Sequence, residues 1–374
     1  MVEIDPIKYM QLALEIAAQG GGYVSPNPMV GAVIVRNDVI IGQGYHQLFG
    51  QPHAEINAIS DCIVRGHAAA GATMYITLEP CCHYGQTPPC VEALINAKIG
   101  KVVIATIDSS AKVSGKGVKA LRDMGISVSV GLCQQQATDL NRGFFNVHKI
   151  GLPQVIIKWA QSRDHKLAWP LGKKQWITNE KSRLHVHQMR SQFGAVMCGI
   201  GTVLADDPLL TVRLDRDSAQ PVRMVLDSKL RMSFDAKIVQ SARESSLYIF
   251  VAEETLTIEK NKIMALSDLG CIIEAVPSSL GQLSISAILK RVVSLHINDV
   301  YVEGGLAMYQ SFYTQNLVDR LMIYKSNFDI GEQSQYPLPY DLTIDRVVKS
   351  SKVIHECYFD RDSYLELLLP ARTE

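Results

Sequence analysis

The sequence has no charge to spare: 37 Lys and Arg residues are matched by 37 Asp and Glu. Such balance provides no long-range field for nucleic acid or an anionic membrane, so a small-molecule partner is the better expectation. Only three residues are tryptophan, which leaves little stacking surface for an extruded nucleobase. Long apolar runs are missing too, since nothing approaches the roughly 18 uninterrupted residues that span a bilayer. The start, MVEIDPIKYM, carries Glu3 and Asp5 where a secretory signal would be basic and then apolar. A cytoplasmic protein is expected, with no membrane and no nucleic-acid partner. Internal repeats, low-complexity tracts and charge runs are absent as well.

What is present suits two globular domains. A chain of 374 residues exceeds one typical core, and each half is long enough to bury its own. The eight cysteines read as thiols or metal ligands, because disulfides do not persist in a reducing compartment.

Periodicity organises the first half as a helix over 6–19, a β-hairpin around Arg36-Asn37-Asp38, and then helices alternating with apolar strands. This order indicates an α/β sandwich with a mixed sheet. Around LNRGFFNVHKIGLPQ the pattern breaks at Gly143, Gly151 and Pro153. The expected domains are therefore 1–146 and 147–374, the second a separate α/β domain with a strand-rich sheet running from PQVIIKWAQ to YLELLL.

The segment TLEPCCHYGQTPPC, residues 77–90, concentrates sulfur at the end of an expected strand, where α/β proteins commonly place their sites. Upstream, PHAEINA supplies His53 and Glu55 at a helix start. One histidine with Cys81 and Cys90 makes three ligands for a tetrahedral zinc and leaves a fourth position for water, which is catalytic arithmetic. Glu55, beside the metal but not on it, is placed to move protons. Zinc nucleobase deaminases show H-x-E followed by P-C-x-x-C. Here Cys90 follows Cys81 by nine positions rather than three, and a loop must return it to the metal. Cys82 is read as packing.

In the second half, Gly199-Ile200-Gly201 follows a strand, yet Leu204 stands where a dinucleotide fingerprint wants a third glycine. Gly304-Gly305 opens a helix and is either a phosphate-receiving terminus or simply a tight turn. Arg190 and Arg213 are either a phosphate clamp or solvated surface.

SPNPMVGAVIV, HAEINAI, TLEPCCHYGQTPPC and GKG resemble the deaminase half of the bifunctional deaminase-reductases of riboflavin biosynthesis. WIT, GIGTVLADDPLLTVR and VEGG followed by LVDRL resemble their reductase half, in the family's order. The resemblance implies a cytidine-deaminase-like α/β/α sandwich followed by a dihydrofolate-reductase-like α/β domain. It further implies hydrolytic deamination of 2,5-diamino-6-(5-phosphoribosylamino)pyrimidin-4(3H)-one, then NADPH-dependent reduction of the ribosyl chain to ribityl.

By the matched motifs, His53, Cys81 and Cys90 hold one Zn2+, Glu55 shuttles protons, and Asn27 and His83 line the same pocket. Ala160, Trp176, Thr202, Asp206, Ser228 and Gly305 match positions that contact the nicotinamide cofactor. Lys174, Arg190, Leu210, Arg213 and Glu303 match the substrate side. A homo-oligomer, dimer or tetramer, is expected. The chain departs from the family pattern at Gln86, at Asp108-Ser109-Ser110-Ala111, at Ser162-Arg163-Asp164-His165 and at Lys174. None of these touches the zinc set.

Overall fold

A computed structural model describes residues 5–85, 87–110, 113–168, 175–215, 218–331 and 344–372. Gln86, Ala111 and Lys174, three of the positions singled out above, lie outside the described residues. The chain divides into two compact units, Met1–Gly151 and Leu152–Glu374.

The first unit runs α1 (Pro6–Ala17), β1 (Gly31–Arg36), β2 (Val39–Tyr45), α2 (Ala54–Val64), β3 (Thr73–Leu78), α3 (Cys90–Asn96), β4 (Lys101–Thr106), α4 (Lys116–Asp123), β5 (Ser127–Val130), α5 (Gln134–Leu140) and α6 (Arg142–Ile150). Asp5 starts α1 by accepting the Ile7 N–H at 3.0 Å, with Pro6 at the first helical position. The sheet order is β2-β1-β3-β4-β5, antiparallel through β2, β1 and β3 and parallel from β3 to β5. Alternate residues of β1 serve opposite layers: Ala32 and Ile34 face a core with Ala58 and Leu94, whereas Val33 and Val35 face Met10 and Ala13. This is the mixed-sheet α/β/α sandwich expected from the alternation of elements.

Helix α2 approaches β2 closely because Gly44 has no side chain. A Cβ there would lie 2.4 Å from the backbone nitrogen of Ala58. The segment read as a break holds α6, which ends at Gly151 in the left-handed region (φ 68°), and α5 directly precedes it. Helix α6 is amphipathic, with Phe144 buried, but it carries Gly143 and ends at Gly151 just before Pro153, residues that read as breakers. Asn141 ties this region to the strand layer, accepting from Met29 N at 2.7 Å and donating to Met29 O at 2.8 Å.

The second unit contributes β6 (Gln154–Gln161), α7 (Glu180–Arg190), β7 (Ala195–Gly199), α8 (Ile200–Asp206), β8 (Val222–Leu226), α9 (Lys237–Gln240), β9 (Leu247–Ala252), α10 (Thr255–Ile258), α11 (Lys260–Asp268) and β10 (Cys271–Val276). A short hairpin, β11 (Ser278–Ser279) with β12 (Gln282–Leu283), precedes α12 (Ile285–Ser294), β13 (Asp299–Glu303), α13 (Leu306–Thr314), β14 (Arg320–Lys325), α14 (Ile344–Lys349), β15 (Lys352–Phe359) and β16 (Asp362–Leu368). Nine strands form one sheet in the order β10-β9-β8-β7-β13-β6-β14-β16-β15. It is parallel from β10 to β14, and β16 and β15 add antiparallel at one edge. Both faces are buried, as parallel sheets require: Val155, Ile157 and Trp159 pack on one side with Val300 and Phe312, Ile156 on the other with Val196 and Tyr301. Edge strand β15 shifts register between Val353 and His355 and leaves Val353, Ile354 and Tyr358 exposed.

A buried ion pair closes this unit. Asp319 Oδ2, just before β14, accepts from Arg372 Nη2 at 2.6 Å and from Val155 N in β6 at 2.8 Å, and Arg372 also reaches Pro153 O at 2.6 Å. Both side chains are almost fully buried. Removing one partner strands the other charge, so Arg372→Ala is expected to cost about 3 kcal/mol. Denaturant titration followed by tryptophan fluorescence reads this unit alone, because Trp159, Trp169 and Trp176 all belong to it. An unchanged midpoint would contradict the assignment.

Candidate functional site

Three segments of the first unit meet at one point. His53 is the N-cap of α2 and Glu55 lies in that helix's first turn. Cys81 follows the end of β3, and Cys90, preceded by Pro89, is the first residue of α3. His53 Nδ1 stands 3.2 Å from Cys90 Sγ and 3.6 Å from Cys81 Sγ, and all three ligand atoms lie within 4.8 Å of one another. A tetrahedral zinc with its usual bond lengths sets N to S edges of roughly 3.5 Å. The donor set therefore fits zinc, with Nδ1 as the histidine ligand. The other ring nitrogen, Nε2, faces Thr87 Oγ1 at 3.5 Å. The nine-residue return works because Val91 N donates to Cys81 O and Cys90 N donates to Cys81 Sγ at 3.3 Å, folding the loop back on itself.

The electrostatics match this arrangement. Hydrogen bonds from Cys90 and His53 hold the Cys81 thiol down at about 4 against the opposing effect of burial. Cys90 is pushed far above the ordinary thiol range by its bond to Cys81 and by burial. Glu55, 3% exposed, is pushed up to about 7 by burial and by the neighbouring Cys81. A carboxyl poised there accepts and returns a proton near neutral pH. Cys82 packs against the core under β3 and its pKa is raised by burial. His83 is placed with Nδ1 buried and without a hydrogen-bond partner.

Two supports escaped the sequence reading. Glu79, two residues before Cys81, accepts from Gly115 N at 2.9 Å, Val118 N at 3.0 Å and Asp108 N at 3.3 Å. It thereby moors the segment after β4 and the start of α4 to the zinc loop. Gly117 completes the contact, since a Cβ there would lie 2.2 Å from the Pro80 carbonyl oxygen. His46, 2% exposed at the end of the hairpin, meets His53 edge-to-face at 5.1 Å and lies 3.1 Å from Asn27 Nδ2. Burial lowers its pKa.

In the second unit, Arg190 at the end of α7 meets Glu303, the last residue of β13. Arg190, at the end of α7, donates from Nε (2.8 Å) and Nη2 (2.6 Å) to Glu303 Oε1 and from Nη1 (2.6 Å) to Thr211 O. Its fork is thus engaged by a carboxylate and by the loop that carries Leu210 and Arg213. Leu210 is buried with a left-handed backbone (φ 56°), and Arg213 N donates to His187 Nδ1 at 3.3 Å. Lys158, which the sequence reading did not single out, lies 4.0 Å from Glu303 Oε2. The available signal was a lysine inside the otherwise apolar run VIIKWA. Burial lowers the Lys158 pKa, and although burial would raise Glu303, the charges of Arg190 and Lys158 hold it below the ordinary value.

The cofactor-side candidates divide. Thr202 and Asp206 lie in α8, and Gly305 caps α13. A Cβ on Gly304 would stand 3.7 Å from Thr202 Oγ1, so these two helix starts adjoin, while Gly201 and Gly305 open onto free space. Such a glycine-lined cradle of helix N-termini suits a dinucleotide phosphate. Ala160 pairs with Tyr324 in the sheet. Ser228, beyond β8, accepts at its carbonyl from Thr255 Oγ1 at 2.7 Å, and Trp176 is 70% exposed with Arg183 over its ring at 5.0 Å.

Comparison with known proteins assigns both units. Residues 4–106 match the cytidine and deoxycytidylate deaminase zinc-binding region, and residues 153–354 match the RibD C-terminal domain. The riboflavin biosynthesis protein RibD of Aquifex aeolicus is 40% identical over 351 residues, 94% of each chain. That of Escherichia coli is 37% identical over 328 residues, 84% of this chain and 86% of its own. The solved structure of Acinetobacter baumannii RibD superposes with a TM-score of 0.84 at 34% identity, covering 98% of this chain and 99% of its own. The diaminohydroxyphosphoribosylaminopyrimidine deaminase/5-amino-6-(5-phosphoribosylamino)uracil reductase of Thermotoga maritima gives 0.80 at 32%, covering 97% and 98%.

The geometry generates a metal prediction. Wild-type protein is expected to bind one zinc per chain, and Cys90→Ala or His53→Ala to bind essentially none by elemental analysis. Gly117→Ala, which displaces the Pro80 carbonyl beside a ligand, is expected to weaken zinc binding roughly tenfold in a competition titration. Full affinity in that variant would show that the packing is not needed to hold the loop.

Proposed function

The chain belongs to the RibD family, and from that premise we propose how its own residues divide two consecutive reactions. It is a bifunctional enzyme of riboflavin biosynthesis, a deaminase and a reductase, with zinc and NADPH as cofactors. The first reaction replaces the 2-amino group of 2,5-diamino-6-(5-phosphoribosylamino)pyrimidin-4(3H)-one by oxygen, consuming water and releasing ammonia. The second reduces the ribosyl group to give 5-amino-6-(5-phosphoribitylamino)uracil. We assign deamination to the first unit and reduction to the second.

When bound, zinc activates water for hydrolysis and NADPH supplies the hydride. His53, Cys81 and Cys90 would hold the metal. Glu55 takes the proton of the attacking water and delivers it to the departing amine. The observation that carries this role is a buried carboxyl held near neutrality in the first turn of α2, two residues after the ligand His53. In the second unit, Ala160, Trp176, Thr202, Asp206, Ser228 and Gly305 are proposed for the cofactor side, supported by the cradle at Thr202 and Gly305. Arg190, Leu210, Arg213 and Glu303, with Lys174, are proposed for the substrate side. The Arg190 fork holds Glu303 and the 210–213 loop in fixed relation, so the sugar meets a preset surface.

A cytoplasmic homo-oligomer completes the proposal. All eight cysteines are free thiols, as a reducing compartment favours. An apolar groove of about 400 Å³ between α2 and α3, lined by Ile56, Ile59, Ile63 and Ala93, offers a surface for another copy. No helix among the described residues is long and apolar enough to cross a membrane.

Incubating the zinc-loaded protein with the diaminopyrimidine is expected to yield only the deaminated product without NADPH and the ribityl product with it, identified by mass. Glu55→Gln is expected to keep its zinc and its reduction of supplied intermediate while losing deamination by about 10²–10⁴-fold. Chelation is expected to abolish the first step and spare the second. Near-normal deamination by the Glu55 variant would overturn the assigned role.

A further inference from the structure

We propose that Thr87 is a positioning residue for the metal site: its hydroxyl oxygen accepts the Nε2 proton of His53 and holds that ring with Nδ1 turned to the two sulfurs. The inference rests on the zinc assignment of the first unit and deepens it, giving the long return between Cys81 and Cys90 a second task.

A neutral imidazole shares one proton between two nitrogens. His53 Nδ1 lies 3.2 Å from Cys90 Sγ and 3.6 Å from Cys81 Sγ, so Nδ1 is the nitrogen whose lone pair a zinc held by both sulfurs would take. The proton is then confined to Nε2, and a ligating histidine is best fixed when that N–H has an acceptor of its own. Thr87 Oγ1 stands in front of Nε2 at 3.5 Å. A contact of that length is weak by itself, and its effect lies in choosing between two settings of the ring. Turned over about its Cβ–Cγ bond, the imidazole would bring Cδ2 to the sulfurs and Cε1 to Thr87, and both polar contacts would be lost. A hydroxyl suits this place because it accepts as well as donates. Before the metal arrives it donates to a bare Nε2, and afterwards it accepts from Nε2–H, so the ring needs no turning.

The hydroxyl arrives on the same stiff segment that delivers Cys90. A P-C-x-x-C spacing leaves a single x-x pair between the cysteine ligands; here residues 82–89 intervene, and one of them reaches His53. Pro88 restricts the Thr87 backbone to extended conformations, and Gly85 N donates to Thr87 O at 3.2 Å. Tyr84, on the near side of the loop, donates its hydroxyl to the carboxylate oxygens of Glu92 in α3, at 3.2 Å and 3.1 Å. Pro89 then caps α3, and Cys90 follows as its first residue. Thr87 is therefore held from both sides along the chain.

The test uses the full-length protein and zinc itself, titrated in competition with a chromophoric chelator. Thr87→Val keeps the shape of the side chain and removes the hydroxyl, and its zinc affinity is expected to fall about tenfold, the lower end for an outer partner of a ligating histidine. Thr87→Ser keeps the hydroxyl and is expected to stay within about threefold of wild type on the same reasoning. Wild-type affinity in the valine variant, or a serine variant as weak as valine, overturns the proposal. Histidine-selective 15N labelling of the zinc-loaded proteins reads the bond directly: the His53 Nε2 proton is expected to exchange with water faster in Thr87→Val than in wild type, and equal rates overturn the bond. Loaded with cobalt, the valine variant is expected to show the wild-type absorption bands, since all three ligands remain. Altered bands would mean that the ligand set had shifted, and would overturn a role confined to the ring. Failure of the wild type to take up zinc would overturn the metal assignment and this inference together, whereas uptake with an indifferent valine variant strikes Thr87 alone.

Discussion

Three soft atoms must converge within 4.8 Å, and the first unit is arranged around that demand. No single element supplies them. One comes from the cap of α2, one from the end of β3 and one from the start of α3, so the sheet and both helices have to be seated before the site exists. Gly44 lets α2 approach β2, and Gly117 lets α4 approach the zinc loop. Glu79 converts that second approach into three backbone hydrogen bonds. The same close packing keeps water from Glu55, and this exclusion raises its pKa toward neutrality. Ligand geometry and proton chemistry therefore have one structural source.

The second unit solves a different problem. Hydride transfer asks for alignment more than for proton traffic, and its charges are used as fasteners. Lys158, Arg190 and Glu303 form a compact group on one face of the parallel sheet, where burial would make any one of them costly alone. Paired, they fix the 210–213 loop through Thr211. The site sits at the C-terminal ends of the strands, where such sheets offer open helix N-termini.

Both the α/β character and the zinc triad were legible in the sequence, because strand-helix alternation and ligand chemistry leave local signatures. His53, Glu55, Cys81 and Cys90 stand in short motifs whose residue types are unusual together. What stayed hidden was relational. Lys158 reads as an anomaly in a strand until Glu303, far along the chain, is placed beside it by the pairing of β6 with β13. Glu79 looks like part of a motif, and its role as a mooring depends on backbone N–H groups that no sequence displays. The helices α5 and α6 were lost for simpler reasons: α5 buries only Ala137, and α6, although amphipathic, is punctuated by Gly143, Gly151 and Pro153, which read as loop. Arg190 illustrates a further limit, since an arginine's partners cannot be ranked before its neighbours are known, and here a carboxylate and a carbonyl occupy most of its fork.

The register shift in β15 bears on how the protein behaves in a crowded solution. A long parallel sheet that ended on a flat, regular strand would offer its unpaired edge as a template for any extended chain. Here the last strand kinks between Val353 and His355 and carries Lys352, His355 and Glu356 on exposed positions. A passing strand would meet a broken hydrogen-bond ladder and charged side chains that it must desolvate. The kink therefore acts as a terminator of sheet growth, protecting a surface that also exposes Val353, Ile354 and Tyr358.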